Sequence, residues 1–229
     1  MLDELKQRVC EANLELHRAG LVTLTWGNVS GRDPERHRVV IKPSGLSYAD
    51  LRPHHMVVLD PEGATVEGDL RPSSDTPTHL ALYRAFEGIG GITHTHSVYA
   101  TMFAQACREI PCLGTTHADL FPGPVPLTRA VTQAEVEAGY EINTGRVIVE
   151  RFHGLDPVER PGVLVAHHGP FTWGSDAMAS VRNAVALEAL AKIAFGTLAL
   201  NPDIHPLPAH ILNKHYTRKH GPGAYYGQP

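Results

Sequence analysis

His94 and His96 stand two apart in GGITHTHS, at the end of an apolar run. If that run is a strand, side chains at i and i+2 leave the same face, so two imidazoles project together from a core-like segment. Imidazole is the commonest metal ligand and the side chain best suited to move protons near neutral pH. Two histidines make an incomplete site, because a catalytic metal is held by about three protein ligands with a position left open. A third donor is available in VLVAHHGPF, where another apolar run ends in His167 and His168. Neighbours on a strand face opposite ways, so one of the pair reaches a shared site and the other does not. The structural alternative is that these histidines only hydrogen-bond at strand ends.

Other short segments suit an anion. PSSDTPTH carries Ser73, Ser74 and Asp75 just where a helix begins. Free backbone N–H groups and the helix dipole attract negative charge there, and two hydroxyls add donors. Asp75 is either a favourable first-turn charge or, beside a three-histidine cluster, a fourth ligand or a base. KPSG supplies the cation Lys42, the hydroxyl of Ser44 and Gly45, whose backbone can approach an oxyanion; WGN offers a tight turn at Gly27 and Asn28. Taken together they form three small clamps suited to a phosphate. Proton-transfer groups are available in THAD, ending at Asp119, and in AYYG, with Tyr225 and Tyr226; a phenol of pKa about 10 is a natural donor to an alkoxide. KHYTRKH, around His215, is either a solvated basic face or a wall beside an anionic substrate.

The elements that must hold these groups follow from pattern. Leu5, Val9, Ala12 and Leu16 form a helical stripe from Leu2 to Arg18. LVTLTWGNVS reads as extended, turning at Gly27–Asn28. RVVIKPSG reads as a strand entering a loop, and HMVVLDPEGATVEG as a hairpin about its PEG turn. A helix follows PSSD, a strand ends at His96, and a helix runs from about Ser97 to Gln105. TQAE is a capping box opening a helix to about Asn143. RVIVE and VLVAHHG read as strands; a long apolar helix starts near Ser175, and PAHILNKHYTRKHG forms the last one. Alternating helices and short strands with a hairpin give an α/β fold layered as helix, sheet, helix.

Composition bounds the rest. The chain of 229 residues suits one domain, 1–229, and its net charge of −4 without a basic stripe argues against nucleic acid. Cys10, Cys107 and Cys112 form no CxxC pair, which disfavours a disulfide framework or a thiolate zinc site. The sequence reads as having no apolar run near 18 residues and no signal-like N-terminus, so no membrane association and a cytoplasmic location are expected.

In this order TLTWGNVS, IKPSG, PSSDTPTH, GGITHTHS, GTTHAD, VLVAHHGPFTWG and KHYTRKHG with AYYGQ closely resemble the L-ribulose-5-phosphate 4-epimerase family of the class II aldolase/adducin superfamily. The resemblance spans essentially the whole chain. It implies a three-layer α/β/α class II aldolase-type fold around a mostly antiparallel or mixed sheet. It also implies a C4 homotetramer with active sites between subunits. A divalent metal, zinc first, would be held by His94, His96 and His168, with Asp75 at the metal. Substrate contacts would come from Gly27, Asn28, Lys42, Ser44, Gly45, Ser73 and Ser74. Asp119 and Tyr226 would transfer protons at a neighbouring subunit's metal, and His215 would be a further wall residue. The implied activity is an isomerase interconverting L-ribulose 5-phosphate and D-xylulose 5-phosphate by retro-aldol cleavage of C3–C4, in arabinose or in ascorbate and L-xylulose use. The alternative is an aldolase cleaving a sugar phosphate such as L-fuculose 1-phosphate. In those enzymes a glutamate stands where this chain has Asp75. A metal-free adducin-like interaction domain is expected to lack the three histidines. His167 stands where relatives often have a small polar residue, so its role is open.

Overall fold

A computed structural model of the chain describes residues 2–33, 35 and 37–225. Helix α1 (Leu2–Arg18) is followed by four strands, β1 (Asn28–Asp33), β2 (Arg38–Ile41), β3 (Val57–Leu59) and β4 (Thr65–Glu67). Then come α2 (Thr76–Ala85), β5 (Gly91–His94), α3 (Val98–Gln105), α4 (Thr115–Ala118) and α5 (Gln133–Arg151). The chain continues through β6 (Gly162–Leu164), β7 (Pro170–Gly174), α6 (Ala177–Leu200) and α7 (Ala209–Thr217). The strands form one sheet in the order β4-β3-β2-β1-β5-β7-β6. Among the described residues every strand pair is antiparallel. The one parallel contact is an isolated bridge between Leu127 and Leu164.

Alternation along the strands sends side chains to two helical layers. Val29, Val40 and Val58 pack under α1 and α6 with Val9, Leu16 and Val181. Ile92, Phe171 and Trp173 face the other way, against Leu82 of α2 and Ile148 of α5 and against Phe86 and Phe152, the residues that follow those helices. A third cluster joins α3 and α6 through Phe103, Leu187 and Leu190 to Phe121. The α1 stripe and the Thr132–Glu135 capping box form as the sequence pattern implies, with Thr132 N donating to Glu135 Oε2 at 2.8 Å.

Local pattern misleads at four places. RVIVE reads as a strand, but it is the second half of α5. Its Val147 and Ile148 are buried, Ile148 in one cluster with Leu82 and Tyr83 of α2, and that packing outweighs the β propensity of a branched run. LVTLTWGNVS reads as extended with a turn at Gly27–Asn28, but residues 21–27 are irregular with a turn at Leu24–Thr25, and β1 begins at Asn28. VLVAHHG stops being strand at Leu164, and PFTWG, unassigned by pattern, is β7. Finally, α6 holds an 18-residue window of mean hydropathy 1.4, apolar enough by composition to cross a membrane, of which 28% is buried in this chain. Counting uninterrupted apolar residues hides that window because Glu188 and Lys192 lie in the same helix. Glu188 has a structural task, accepting from the N–H groups of Tyr99 (2.8 Å) and Ala100 (2.9 Å) at the start of α3.

Candidate active site

The site begins as a pairing of strands. β1 and β5 align Asn28 directly opposite His94, and side chains so paired have Cβ atoms about 4.5–5.5 Å apart. Both residues project toward α2, as do Ser30, bonded to His79 and Tyr83 of α2, and Ile92.

His94 is 2% exposed, and its ring stacks on Phe171 with centroids 4.1 Å apart. Its Nδ1 lies 3.0 Å from the carbonyl oxygen of Pro170. A carbonyl can only accept, so Nδ1 carries the proton and Nε2 keeps its lone pair. β5 ends at His94, so the two histidines are not on one continuous strand. The chain leaves the strand at Thr95 and still places His96 beside His94, with its Nε2 3.1 Å from that of His94.

His168 arrives from the turn between β6 and β7, where His168 N donates to Val165 O (3.0 Å) and Val165 N to Gly169 O (2.9 Å). His167 holds the left-handed position of this turn, with φ of 63°. The turn, rather than strand alternation, separates the pair. The His167 ring faces Cys107, 3.4 Å from its Sγ, while His168 Nε2 lies 3.1 Å from His96 Nε2.

Three imidazole nitrogens thus fall within 4.8 Å of one another. One proton on His96 Nε2 could bridge only one of its two 3.1 Å contacts, whereas a shared cation satisfies all three lone pairs. Metal–nitrogen distances of about 2.0–2.1 Å in a tetrahedral arrangement separate ligand nitrogens by roughly 3.3 Å, close to what is seen. Metal binding needs neutral imidazole. Burial and then the neighbouring His94 and His96 pull His168 down to about 3, and burial followed by His94 lowers His96. The residues present therefore fit a divalent metal.

Asp75 precedes α2 without capping it by its side chain. Its Oδ2 instead accepts from Asn28 Nδ2 at 2.7 Å. Burial opposes its charge, but His94, His79, the Asn28 amide and His168 together hold it below the usual carboxylate range. It stands beside the three-histidine group, outside the 4.8 Å set. Asn28 Nδ2 also donates to Ser73 Oγ at 3.0 Å, and its buried Oδ1 has no partner among the described residues. An acceptor left over in a polar cavity suits a ligand hydroxyl.

A cavity of about 380 Å³ collects these groups with Gly27, Lys42, Ser44, Gly45, Ser73 and Ser74. Lys42 is 1% exposed, and burial pulls its ammonium down to about 8. Its protein contacts are the Pro43 carbonyl at 3.4 Å and the Tyr48 ring face at 4.8 Å. Among the described residues it has no carboxylate partner, and such a buried cation invites an anion from solution. Gly27 has φ of 77°, and a Cβ there would meet Val22 Cγ1 at 2.8 Å and His94 O at 3.0 Å, so a side chain does not fit.

Asp119 is not among the residues that line this cavity. Asp119, after α4, is clamped by α7 and its end: Arg218 Nε and Nη2 donate to its two oxygens at 3.0 and 2.6 Å, and His215 Nδ1 lies 3.2 Å away. Burial would raise its pKa, but the Arg218 and His215 hydrogen bonds and the charge of Lys219 outweigh that and hold it low. Tyr226 lies outside the described residues. Three residues at the site escape sequence reasoning. Tyr48 donates to the carbonyls of Gly27 (2.9 Å) and Trp26 (3.1 Å), and Tyr140 and Glu141 line the cavity. For the last two a signal existed, since Gly139 interrupts a helical pattern just before them.

Residues 7–195 match the family described as Class II Aldolase and Adducin N-terminal domain. The chain is 53% identical over 227 residues to L-ribulose-5-phosphate 4-epimerase UlaF of Salmonella paratyphi C (strain RKS4594), covering 99% of this chain and all of that protein. The fold is similar to that of a structure named L-fuculose 1-phosphate aldolase, with a TM-score of 0.79, 25% identity and 94% and 95% of the two chains covered. YgbL from Klebsiella pneumoniae, named a putative aldolase/epimerase/decarboxylase, shares the fold with a TM-score of 0.74 at 24% identity, over 93% of this chain and 98% of that one. Motifs, sheet register and whole-chain similarity agree, and the chain is a member of the class II aldolase and adducin family, in its L-ribulose-5-phosphate 4-epimerase branch.

Proposed function

We propose that the protein is a metal-dependent isomerase that interconverts L-ribulose 5-phosphate and D-xylulose 5-phosphate, acting in the cytoplasm as one catalytic domain. The observation that carries this reading is the sharing of one cavity by the three-imidazole cluster and the buried Lys42, which has no carboxylate partner among the described residues. One end suits a metal and the other a phosphate.

The chemistry follows from the substrate. Hydrogen on C4 of a ketopentose phosphate is not acidic, so inversion by deprotonation there is hard; cleaving C3–C4 avoids the problem. A divalent metal at His94, His96 and His168, zinc first, supplies Lewis acidity for the negative charge left on the C1–C3 fragment. Lys42, Ser44, Gly45, Ser73 and Ser74 hold the phosphate of the other fragment, so it stays while it turns and presents its second face. As C3–C4 breaks, its electron pair remains with C3 and the C4 hydroxyl gives up its proton. Re-addition forms the bond again and returns a proton to that oxygen. Asp119, held ionised by Arg218 and His215, suits the accepting role, and the phenol of Tyr226 suits the donating one. Incubation with L-ribulose 5-phosphate and a defined metal is expected to yield D-xylulose 5-phosphate with carbon count unchanged. Net release of dihydroxyacetone phosphate from a sugar 1-phosphate, with no C4 inversion, would show an aldolase instead.

Assembly is part of the same reading. Val185, Ile193, Phe195 and Leu200 of α6, with Val98 and Met102 of α3, are exposed. A helix that carries apolar residues beyond its core stripe calls for a cover, and a second copy of the chain in a four-fold ring is the cover proposed. Asp119 and Tyr226 would then serve a neighbour's metal. Mixing His96→Asn subunits with Tyr226→Phe subunits tests this directly. Each preparation alone is nearly inactive, and co-assembly at equal amounts restores about a quarter of the activity, since one site in four receives both intact halves. No recovery on co-assembly would place each site within a single subunit.

A further inference from the structure

We propose that Tyr140 is a positioning residue for the metal ligand His168, its phenol oxygen accepting the Nδ1–H and so setting the tautomer and ring angle that present Nε2. The inference rests on the metal reading above. Tyr140 Oη lies 3.2 Å from His168 Nδ1, on the far side of the ring from the nitrogen that meets His96. Among the described residues no other polar partner of that Nδ1 is found. The contrast with His94 gives the contact its weight. His94 is fixed twice, by the obligate acceptor Pro170 O and by stacking on Phe171, and it is buried. His168 sits in a turn beside the left-handed His167, and its ring meets Phe171 only edge-on, with centroids 6.0 Å apart. Its orientation depends far more on a single hydroxyl.

The backbone is built to deliver that hydroxyl. Helix α5 is broken at Gly139, whose φ of 141° and ψ of 103° are not helical. The break is supported, because Asn143 Nδ2 donates to Gly139 O at 2.9 Å and to Glu135 O at 2.7 Å. A side chain at 139 would be strained at this φ and would press on Ile142 Cγ2 at 3.1 Å. Beyond the break, Thr78 of α2 donates to the Glu141 carbonyl at 2.6 Å and pins the segment beside the cavity. Groups that orient a metal-bound histidine through its second nitrogen typically govern metal affinity 10–100-fold.

The test uses metal-free wild type and Tyr140→Phe, titrated with Co²⁺ against a fluorescent chelator while the visible Co²⁺ absorption is recorded. The expected result is roughly 10–100-fold weaker Co²⁺ binding, a shifted absorption band and unchanged thermal unfolding of the metal-free form. Equal affinity with an identical band in the variant overturns the assignment. A wild type that takes up no Co²⁺ overturns the metal reading itself, a different result from a variant that matches a binding wild type.

Discussion

His96→Asn is expected to lose bound metal and activity together, with kcat/KM falling on the order of 10³-fold, the several kcal/mol that a Lewis acid contributes to such a step. His96 is the middle member of the cluster, with the Nε2 atoms of His94 and His168 each 3.1 Å from its own. The asparagine amide is shorter and a poor donor, so two imidazoles would remain where about three ligands are needed. The fold should not suffer. Without metal, the wild-type site holds converging lone pairs in a partly buried place, and replacing one imidazole relieves that repulsion. Metal-free His96→Asn should therefore unfold no earlier than metal-free wild type, whereas metal raises the melting temperature of wild type alone. Elemental analysis of purified protein beside the pentulose phosphate assay reads both effects. Full metal content with full activity would remove His96 from the ligand set.

Lys42→Met is the second large effect, and it separates binding from stability. Loss of a charge-assisted contact to phosphate costs about 1.5–3 kcal/mol, so KM should rise roughly 10–150-fold with a smaller change in kcat. The pH dependence carries its own sign. Burial favours neutral Lys42 and brings its pKa to about 8. The cation proposed to bind phosphate is therefore lost as pH rises through about 8, and wild-type kcat/KM should decline there. For the ligand-free fold the sign is opposite. Between about 8 and the ordinary lysine value of 10.5 the unfolded chain binds more protons than the folded one, so this group adds stability as pH rises. Below about 8 the fold carries a buried charge without a carboxylate partner. Lys42→Met should accordingly be more stable than wild type at pH 7, and the gap should narrow toward pH 10. Chemical denaturation at the two pH values measures it; a variant less stable at pH 7 with unchanged KM would show a purely structural lysine.

The site was legible to unequal degrees, for physical reasons. Asp75, His94, His96 and Lys42 sit in short segments whose side-chain types and spacing make them candidates for metal and anion binding, and the cavity collects them. Tyr48 and Tyr140 carry no such local signature. Tyr48 acts through a hydroxyl that holds the Trp26–Gly27 carbonyls from 21 and 22 residues away, and Tyr140 reaches His168 across 28 residues. Only a folded chain makes those neighbours. RVIVE misled in the same way, because its branched side chains fit a strand locally and α2 decides otherwise.

From composition and motifs alone came the candidate ligand types, the candidate phosphate clamps and the alternation of helix with strand, since these depend on residue chemistry and on contacts within a turn or two. The tertiary structure decided which of two adjacent histidines turns inward, because a left-handed residue at His167 sends the rings apart. It also decided that Asn28 faces His94, because only antiparallel register sets which residues oppose each other. And it placed Asp119 in the grip of Arg218 rather than in the cavity of its own chain, a partnership between residues 99 positions apart that no local pattern encodes.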